Sequence, residues 1–186
     1  MGRVVVTEFV TLDGVFEDPG GAEAFEHGGW AFKANRGPEG DAFKGEELRA
    51  AEAQLLGRVT YEGFARAWPN MQGDWFGQKM NEMPKYVVSS TLQSADWNNS
   101  TILGEDWVEQ VKRLRSELGG DILVAGSGRL VAGLLDADLV DELRLMVFPT
   151  VLGRGRRLLD GAPPTQLELV SAAKAADTVT MVYARP

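Results

Sequence analysis

Short apolar runs alternate with amphipathic segments through the first three quarters of the chain, and this alternation constrains the fold more than any other feature. β-Branched and aromatic residues predict strands at 4–10, 54–58, 85–91, 101–103 and 121–125. Helix formers and helical periodicity predict helices at 43–53, 60–68, 106–118 and 127–136. Strands that alternate with helices form parallel sheets covered on both faces.

The last quarter of the chain breaks this alternation. Residues 141–153, 167–176 and 178–186 are all strand-like, and no helical segment lies among them. We therefore predict an α/β fold with a mixed, mostly parallel sheet, helices on both of its faces and a C-terminal antiparallel hairpin.

Length and composition exclude several classes of protein. A chain of 186 residues fits one domain, 1–186, and its net charge of -8 argues against nucleic-acid binding through a broad basic surface. No apolar stretch reaches the roughly 18 residues that a membrane span needs. The chain has no cysteine, which excludes disulfides, thiolate catalysis and Cys-based zinc sites and favours a cytoplasmic location. We predict no metal site.

Residues 11–42 form a long glycine-rich connection without sustained periodicity. A connection of this length inside one domain is uncommon, and such segments often act as lids or binding loops. A plain surface loop is the alternative.

The stretch GSGRLV at 126–131 follows the apolar run DILVA and opens a predicted helix. A Rossmann fingerprint needs Gly or Ala where Val131 stands and lies early in the chain, so that site is excluded. A P-loop needs Gly-Lys-Ser/Thr, which the chain lacks. What remains is a glycine turn whose N–H groups, at Gly128 to Leu130, would face a pyrophosphate from a helix N-terminus. A tight turn without a ligand is the alternative.

Two further strand-to-helix or strand-to-loop junctions carry polar residues. Arg58 and Thr60 follow one apolar strand, with Thr60 as a predicted N-cap, and the triplet 89–91, Ser-Ser-Thr, follows another. The carboxyl ends of parallel strands share one edge of a sheet, and ligands bind at that edge. The three junctions are thus predicted to converge on one cleft.

The chain resembles the dihydrofolate-reductase-like fold, and within it the branch of the riboflavin-biosynthesis reductases. Five motifs carry the resemblance: TLDG at 11–14, LLGRVTYE at 55–62, VVSST at 87–91, ILVAGSGRLV at 122–131 and DELRLMVFPTVLGRG at 141–155. The resemblance implies a three-layer fold with NADPH across the strand ends. It assigns the cofactor to Arg58, Val59, Thr60, Ser89, Ser90, Thr91, Gly126, Ser127, Gly128, Arg129 and Leu130.

The resemblance also implies a cis peptide between Gly126 and Ser127, and a trans bond there would weaken the assignment. Many relatives have arginine where Ser90 stands, so the choice between NADPH and NADH stays open.

Dihydrofolate reductases carry an acid on the first helix, but Asp41, Glu46 and Glu47 lie in no convincing motif. We interpret these three as solvated helix charges, and no catalytic residue is assigned.

Asp13, Trp30 and Tyr61 are the predicted substrate contacts, because an aromatic floor suits a flat heterocycle. Core packing is the alternative for Trp30 and Tyr61.

The resemblance implies an NADPH-dependent reductase that delivers hydride to a ribosylamino-pyrimidine, similar to 5-amino-6-(5-phosphoribosylamino)uracil, or to a similar small heterocycle. Reduction of dihydrofolate or of another small molecule is the first alternative. A dimeric ligand-binding protein that kept the fold without the chemistry is the second, since fold does not fix function. A homodimer is expected, as in relatives.

Overall fold

The computed structural model describes residues 1–186, and one eight-stranded sheet runs through it. The strands are β1 (Val4–Thr11), β2 (Ala51–Gly57), β3 (Lys85–Val88), β4 (Ser100–Leu103), β5 (Asp121–Ala125), β6 (Glu142–Phe148), β7 (Glu168–Ala175) and β8 (Thr178–Ala184). The α-helices are α1 (Gly37–Ala50), α2 (Arg58–Ala67), α3 (Trp75–Glu82), α4 (Trp107–Glu117) and α5 (Gly128–Asp136).

The strand order in the sheet is β4-β3-β2-β5-β1-β6-β8-β7. Strands β1 to β6 all run parallel to one another, whereas β8 runs antiparallel to both β6 and β7. The predicted mixed sheet with a C-terminal antiparallel hairpin is therefore confirmed. Parallel strands are buried on both faces, and this explains why seven of the eight residues of β1 are buried.

Helices cover both faces of the sheet, which gives three layers. On one face, Val111 of α4 and Leu134 of α5 pack against alternate β1 residues such as Val4. On the other face, Leu48 of α1 and Tyr61 of α2 pack against Val5. The two-residue alternation of β1 thus divides the apolar core between two helical layers.

Helix α1 begins at Gly37, six residues before the predicted start at Phe43. Its first turn, GPEGD, contains two glycines, which lower the helix propensity of the segment and conceal the helix. Pro38 suits the first turn because its missing N–H would be unpaired there anyway. Gly40 allows close packing, since a Cβ atom at this position would lie 2.8 Å from Arg36 Cβ and 3.3 Å from Met146 Cε.

The connection from β1 to α1 has little regular structure, with one 3-10 turn at Trp30–Lys33, yet much of it is packed. Val15, Phe16 and Trp30 are buried in it. The buried carboxylate of Asp18 accepts the backbone N–H groups of Ala22 at 2.6 Å and of two further residues. Side-chain and backbone hydrogen bonds therefore order this segment, although it contains no α-helix and no β-strand.

Other boundaries also differ from prediction: strand β2 begins at Ala51, inside the helix predicted to end at 53, and β3 ends at Val88, three residues before the predicted end. Helix α2 starts at Arg58, directly after β2, so Thr60 lies inside its first turn and is not the N-cap. Helix α3 lies between the predicted strands at 54–58 and 85–91, and its N-cap Asp74 accepts the N–H of Gly77 at 2.9 Å. No helix has the length and apolar character to cross a membrane.

Candidate functional site

Three strand ends bring the predicted cofactor residues to one edge of the sheet. Strand β2 pairs with β3 on one side, with Gly57 opposite Val88, and with β5 on the other, with Leu55 opposite Val124. The residues that follow these strands, beginning at Arg58, Ser89 and Gly126, therefore emerge side by side. This is the edge at which parallel α/β sheets bind ligands.

The junctions after β2 and β5 are in direct contact through Ser127. Its hydroxyl oxygen accepts the backbone N–H of Gly57 at 2.9 Å and lies 2.9 Å from the Thr60 hydroxyl oxygen. The space between them is full, because a Cβ atom on Gly126 would lie 2.4 Å from Thr60 Oγ1 and one on Gly57 would lie 2.5 Å from Ser127 Oγ. Glycine at 57 and 126 is thus required for the two junctions to meet.

The predicted cis bond between Gly126 and Ser127 is wrong, since every peptide bond in the structure is trans. The chain reverses instead through two successive left-handed residues, Gly126 at φ 65° and Ser127 at φ 70°. Glycine adopts this conformation readily, and the two hydrogen-bonding partners of the Ser127 hydroxyl hold the second residue in it. The trans bond removes one support for the family resemblance.

Helices α2 and α5 both begin at this edge without a side-chain cap. Ser127 is the N-cap of α5, but its hydroxyl points toward α2 and leaves the first N–H groups of its own helix unpaired by a side chain. The N-cap of α2 is Gly57, which has no side chain. The dipole of each helix places about half a positive charge at its N-terminus. The two N-termini, with their free N–H groups, therefore form a site suited to an anion.

Two arginines flank these helix N-termini. Arg58 contacts Glu62 in the next turn of α2 at 3.0 Å. Arg129, in the first turn of α5, is exposed and has no acidic partner within ion-pair distance. Val59 beside Arg58 is 44% exposed, whereas Leu130 is buried in the core and offers only its backbone.

The turn after β3 has a different construction. The Ser89 hydroxyl accepts the N–H groups of Thr91 at 3.2 Å and of Leu92 at 2.9 Å, so it shapes the turn. Ser90 and Thr91 are exposed. Their hydroxyl groups are therefore the ones that this turn offers to a ligand.

Asp13, a predicted substrate contact, organises a loop. Its carboxylate accepts the Thr11 hydroxyl at 2.6 Å and the N–H groups of Leu152 at 3.2 Å and Gly153 at 2.8 Å. The Thr11 hydroxyl, together with these N–H groups, lowers the pKa of Asp13 to about 2. The carboxylate thus joins the end of β1 to the turn after β6.

Trp30 and Tyr61, the predicted aromatic contacts, lie in the core. Trp30 is fully buried against Phe148, and its indole N–H donates to the Glu17 carbonyl at 2.8 Å. The Tyr61 hydroxyl accepts the N–H of Trp97 at 3.0 Å, and its ring is buried. Trp30 thus has the core-packing role that was the alternative, whereas Tyr61 packs in the core and also lines a cleft of about 780 Å³ beside α2.

A buried polar cluster that the sequence pattern does not indicate lies on the α1 face of β1. Glu47 is 1% exposed, so its assignment as a solvated helix charge is wrong. Its carboxylate accepts the Thr7 hydroxyl at 2.9 Å and contacts Lys44 Nζ at 2.6 Å. Lys44 Nζ also donates to Thr7 Oγ1 at 2.7 Å. The i,i+3 spacing of Lys44 and Glu47 is the one signal in the sequence that points to this ion pair.

Glu8, the next residue of β1, is also buried, and one of its carboxyl oxygens has no hydrogen-bond partner. Burial raises the pKa of Glu8 to about 8, against the opposing effects of Lys44 and the backbone N–H of Gly126. Glu8 therefore keeps its proton at neutral pH. This neutral carboxyl group lies directly beneath the glycine turn after β5.

Residues 3–181 match the sequence model of the RibD C-terminal domain. The chain belongs to this family. Two Bacillus subtilis proteins, the uncharacterised YyaP and YwjB, are similar to it: YyaP is 26% identical over 84% of this chain and 79% of its own length, and YwjB is 27% identical over 79% and 81%.

Solved structures share the fold of this RibD C-terminal domain. A putative riboflavin biosynthesis protein from Shewanella sp. PV-4 superposes with a TM-score of 0.77 at 18% identity, covering 99% of both chains. Dihydrofolate reductase from Enterococcus faecalis, complexed with NADP(H), gives 0.62 at 16% identity and covers 99% of this chain and 96% of that one. The Thermotoga maritima deaminase and 5-amino-6-(5-phosphoribosylamino)uracil reductase gives 0.63 at 16% identity, and its match covers 100% of this chain and 57% of that one. The predicted family and its dihydrofolate-reductase-like fold are therefore confirmed.

Proposed function

We propose that this RibD-family domain is an NADPH-dependent reductase of the riboflavin-biosynthesis type. The observation that carries the proposal is the pair of uncapped helix N-termini, of α2 and α5, held together by the Ser127 hydroxyl beside Gly57 and Thr60. This arrangement concentrates backbone N–H donors and two arginines at the ligand-binding edge, in a protein whose net charge is -8.

The donor set fits a dinucleotide. The N–H groups of Arg58 to Thr60 and of Gly128 to Leu130 would hold the pyrophosphate, with Arg129 as the cation that has no acidic partner. Ser90 and Thr91, exposed at the end of β3, would contact the adenosine ribose and its 2′-phosphate. When bound, the cofactor supplies hydride, and the protein orients the acceptor and excludes water.

The substrate in this proposal is a ribosylamino-pyrimidine similar to 5-amino-6-(5-phosphoribosylamino)uracil, or a similar small heterocycle. The support is the RibD family match together with the Thermotoga maritima neighbour that carries this reductase activity. Dihydrofolate is the second candidate, because the Enterococcus faecalis reductase shares the fold. The cysteine-free composition also favours the cytoplasm.

Titration with NADPH, followed by the fluorescence of the reduced nicotinamide, tests the proposal first. Saturable binding with a dissociation constant well below about 1 mM is expected, with NADH as the comparison. Absence of saturation would reject both reductase candidates and leave the ligand-binding protein. NADPH oxidation with 5-amino-6-(5-phosphoribosylamino)uracil, measured beside dihydrofolate, then decides between the two substrates.

We further propose that the protein is a homodimer formed through β7. This strand is the sheet edge, and seven of its eight residues are exposed, among them Leu169 at 58% and Val170 at 62%. An open edge with apolar side chains is a template for pairing with a second strand.

A further inference from the structure

Strands β1 and β5 are neighbours in the sheet, but the helices that follow them lie on opposite faces. Helix α1, which follows β1, contributes Leu48 to one core, and helix α5, which follows β5, contributes Leu134 to the other. This divergence marks a topological switch point, and in open α/β sheets ligands bind in the crevice outside the carboxyl ends of two such strands. The crevice lies beside the glycine turn that opens α5.

Glu8 stands at the base of this crevice. The last pair between β1 and β5 joins Thr7 to Ala125, so Glu8 is the first β1 residue beyond that pair. In the two-residue alternation of β1, Glu8 lies between Val6 and Val10, both of which pack in the core beneath α4 and α5. An acid thus occupies an apolar position where the two strands separate.

The surroundings of Glu8 do little to stabilise a negative charge. The side chain is 6% exposed, and its Oε1 atom has no hydrogen-bond partner. The ammonium of Lys44 and the N–H of Gly126 favour the ionised form, whereas burial and the carboxylate of Glu47 oppose it. Burial has the largest effect, so Glu8, with a pKa of about 8, is neutral at pH 7.

Charged side chains of the other elements around Glu8 either face solvent or hold acidic partners: Arg129 of α5 is exposed, Arg144 of β6 is bound to Glu142, and Arg156 of the turn after β6 is bound to Glu17 and Glu23. Lys44 and Glu47 of α1 are therefore the charged side chains that act on Glu8. Protonation of Glu8 itself decides whether the base of the crevice carries a charge.

We propose that Glu8 couples cofactor binding to a proton: NADPH binds to the protein with a neutral Glu8 carboxyl group, and ionised Glu8 opposes binding by placing a negative charge under the N-terminus of α5. The inference rests on the proposed function and adds to it a control of cofactor affinity by pH. Glu8 is a positioning residue in this proposal, since it acts through the glycine turn and not by contact with the cofactor.

The physical reason is competition between two anions for one helix N-terminus. The N-terminus of α5 has no side-chain cap, so its partial positive charge is available to the pyrophosphate from outside and to Glu8 from inside. Like charges at such a site disfavour each other. By reciprocity, bound NADPH raises the pKa of Glu8, and the protein then takes up a proton from solvent as the cofactor binds.

The pH dependence of NADPH affinity tests the coupling. Between pH 7 and pH 9 Glu8 passes from mostly neutral to mostly ionised, so the dissociation constant of NADPH for the wild type should rise about fivefold. The cofactor keeps its charge over this range, because the second pKa of its 2′-phosphate is about 6. Cofactor fluorescence measures the affinity, and far-UV circular dichroism verifies the fold at each pH.

Glu8→Gln keeps the shape of the side chain and is neutral at every pH. Its dissociation constant for NADPH should therefore match the wild type at pH 7 and stay level up to pH 9. Glu46→Gln is the matched control, because it removes an exposed carboxylate from α1. This control should reproduce the wild-type rise.

Lys85 also titrates in this range, since burial lowers its pKa to about 8. It occupies the first position of β3, at the opposite edge of the sheet from the glycine turn. Glu8→Gln retains Lys85, so a rise that persists in this variant would overturn the role of Glu8 and assign the pH dependence to another group.

Calorimetry at pH 8.5 tests the coupling without relying on a variant. NADPH binding should take up about half a proton, measured as the difference in binding heat between two buffers of unlike ionisation enthalpy. Glu8→Gln should take up none. Binding without proton uptake by the wild type would overturn the coupling alone, whereas absence of NADPH binding at pH 7 would reject the proposed function and the coupling with it.

Discussion

Thr60 Oγ1 and Ser127 Oγ lie 2.9 Å apart, and this contact fixes the relative position of two helix N-termini that start from neighbouring strands. We expect Ser127→Ala to lose about 1 to 2 kcal/mol of unfolding free energy, because the Gly57 N–H loses its acceptor. The same variant should bind NADPH several-fold more weakly, because the N–H donors at the start of α2 would no longer be fixed in position relative to those at the start of α5. Urea unfolding and fluorescence titration measure the two effects.

Ser116→Ala is the control for Ser127→Ala. The Ser116 hydroxyl donates to a backbone carbonyl on exposed α4, far in sequence from the proposed site. Its loss should leave NADPH affinity unchanged. Equal NADPH affinities for the wild type, Ser127→Ala and Ser116→Ala would show that the Ser127 contact has no part in cofactor binding.

The sequence predicts the location of the proposed cofactor site better than it predicts its construction. That the strand ends at Gly57, Val88 and Ala125 share an edge follows from the alternation of strands and helices. The use of the Ser127 hydroxyl could not be predicted, because a serine before a helix ordinarily caps it. Here the left-handed conformation of Ser127 turns the hydroxyl toward Gly57 instead.

Arg129 should strengthen NADPH binding mainly through its positive charge. Arg129→Ala is expected to raise the dissociation constant of NADPH about tenfold at low ionic strength, as the loss of one exposed cation beside a pyrophosphate implies. Added salt should weaken wild-type binding more than binding by the variant, since screening removes a charge that the variant lacks. Arg113→Ala, an equally exposed arginine on α4, should behave like the wild type.

The substrate side was less predictable, because burial depends on packing between distant segments. Trp30 lies in a glycine-rich segment typical of a binding loop, yet Phe148 and the Glu17 carbonyl enclose it. Glu47 lies in a charged helix, yet it faces Thr7 of β1. Helical periodicity identifies the buried face of a helix only when that face is apolar. A buried ion pair places charged residues on that face, so the periodicity does not reveal it.

Glu8 should make stability depend on pH. Its pKa is about 8 in the folded protein against an ordinary value near 4.5. As pH rises from 4.5 toward 8, the unfolded chain loses the proton while the folded protein keeps it, so the unfolding free energy falls. The decrease attributable to Glu8 should be on the order of 3 kcal/mol, and Glu8→Gln should abolish it.

Urea unfolding at pH 5 and at pH 8.5 measures this dependence. Glu46→Gln, which removes an exposed carboxylate from α1, should keep the wild-type difference between the two pH values. A Glu8→Gln profile that parallels the wild type would show that Glu8 ionises freely in the folded protein.

Lys85 holds the β3 end of the sheet to the loops around it. Its fully buried ammonium donates to the carbonyls of Asn81, Met83 and Asn98 at 2.7 to 2.9 Å and lies 4.2 Å from the Trp97 ring. Lys85→Met fills similar space but removes the ammonium donor from three carbonyls, so we expect a loss of about 3 kcal/mol or more. Thermal and urea unfolding would measure it, and a loss below about 0.5 kcal/mol, typical of surface sites, would contradict this role.

The proposed dimer makes a prediction about the exposed apolar side chains of β7. Leu169→Lys and Val170→Lys each place a positive charge on this open edge, and lysine on an edge strand opposes pairing with a second strand, so each variant should yield monomers. Val151→Lys, at an exposed apolar side chain outside β7, should keep the wild-type mass. Light scattering after size exclusion measures the mass of each sample. A wild-type monomer, or β7 variants as dimeric as the wild type, would reject pairing through β7.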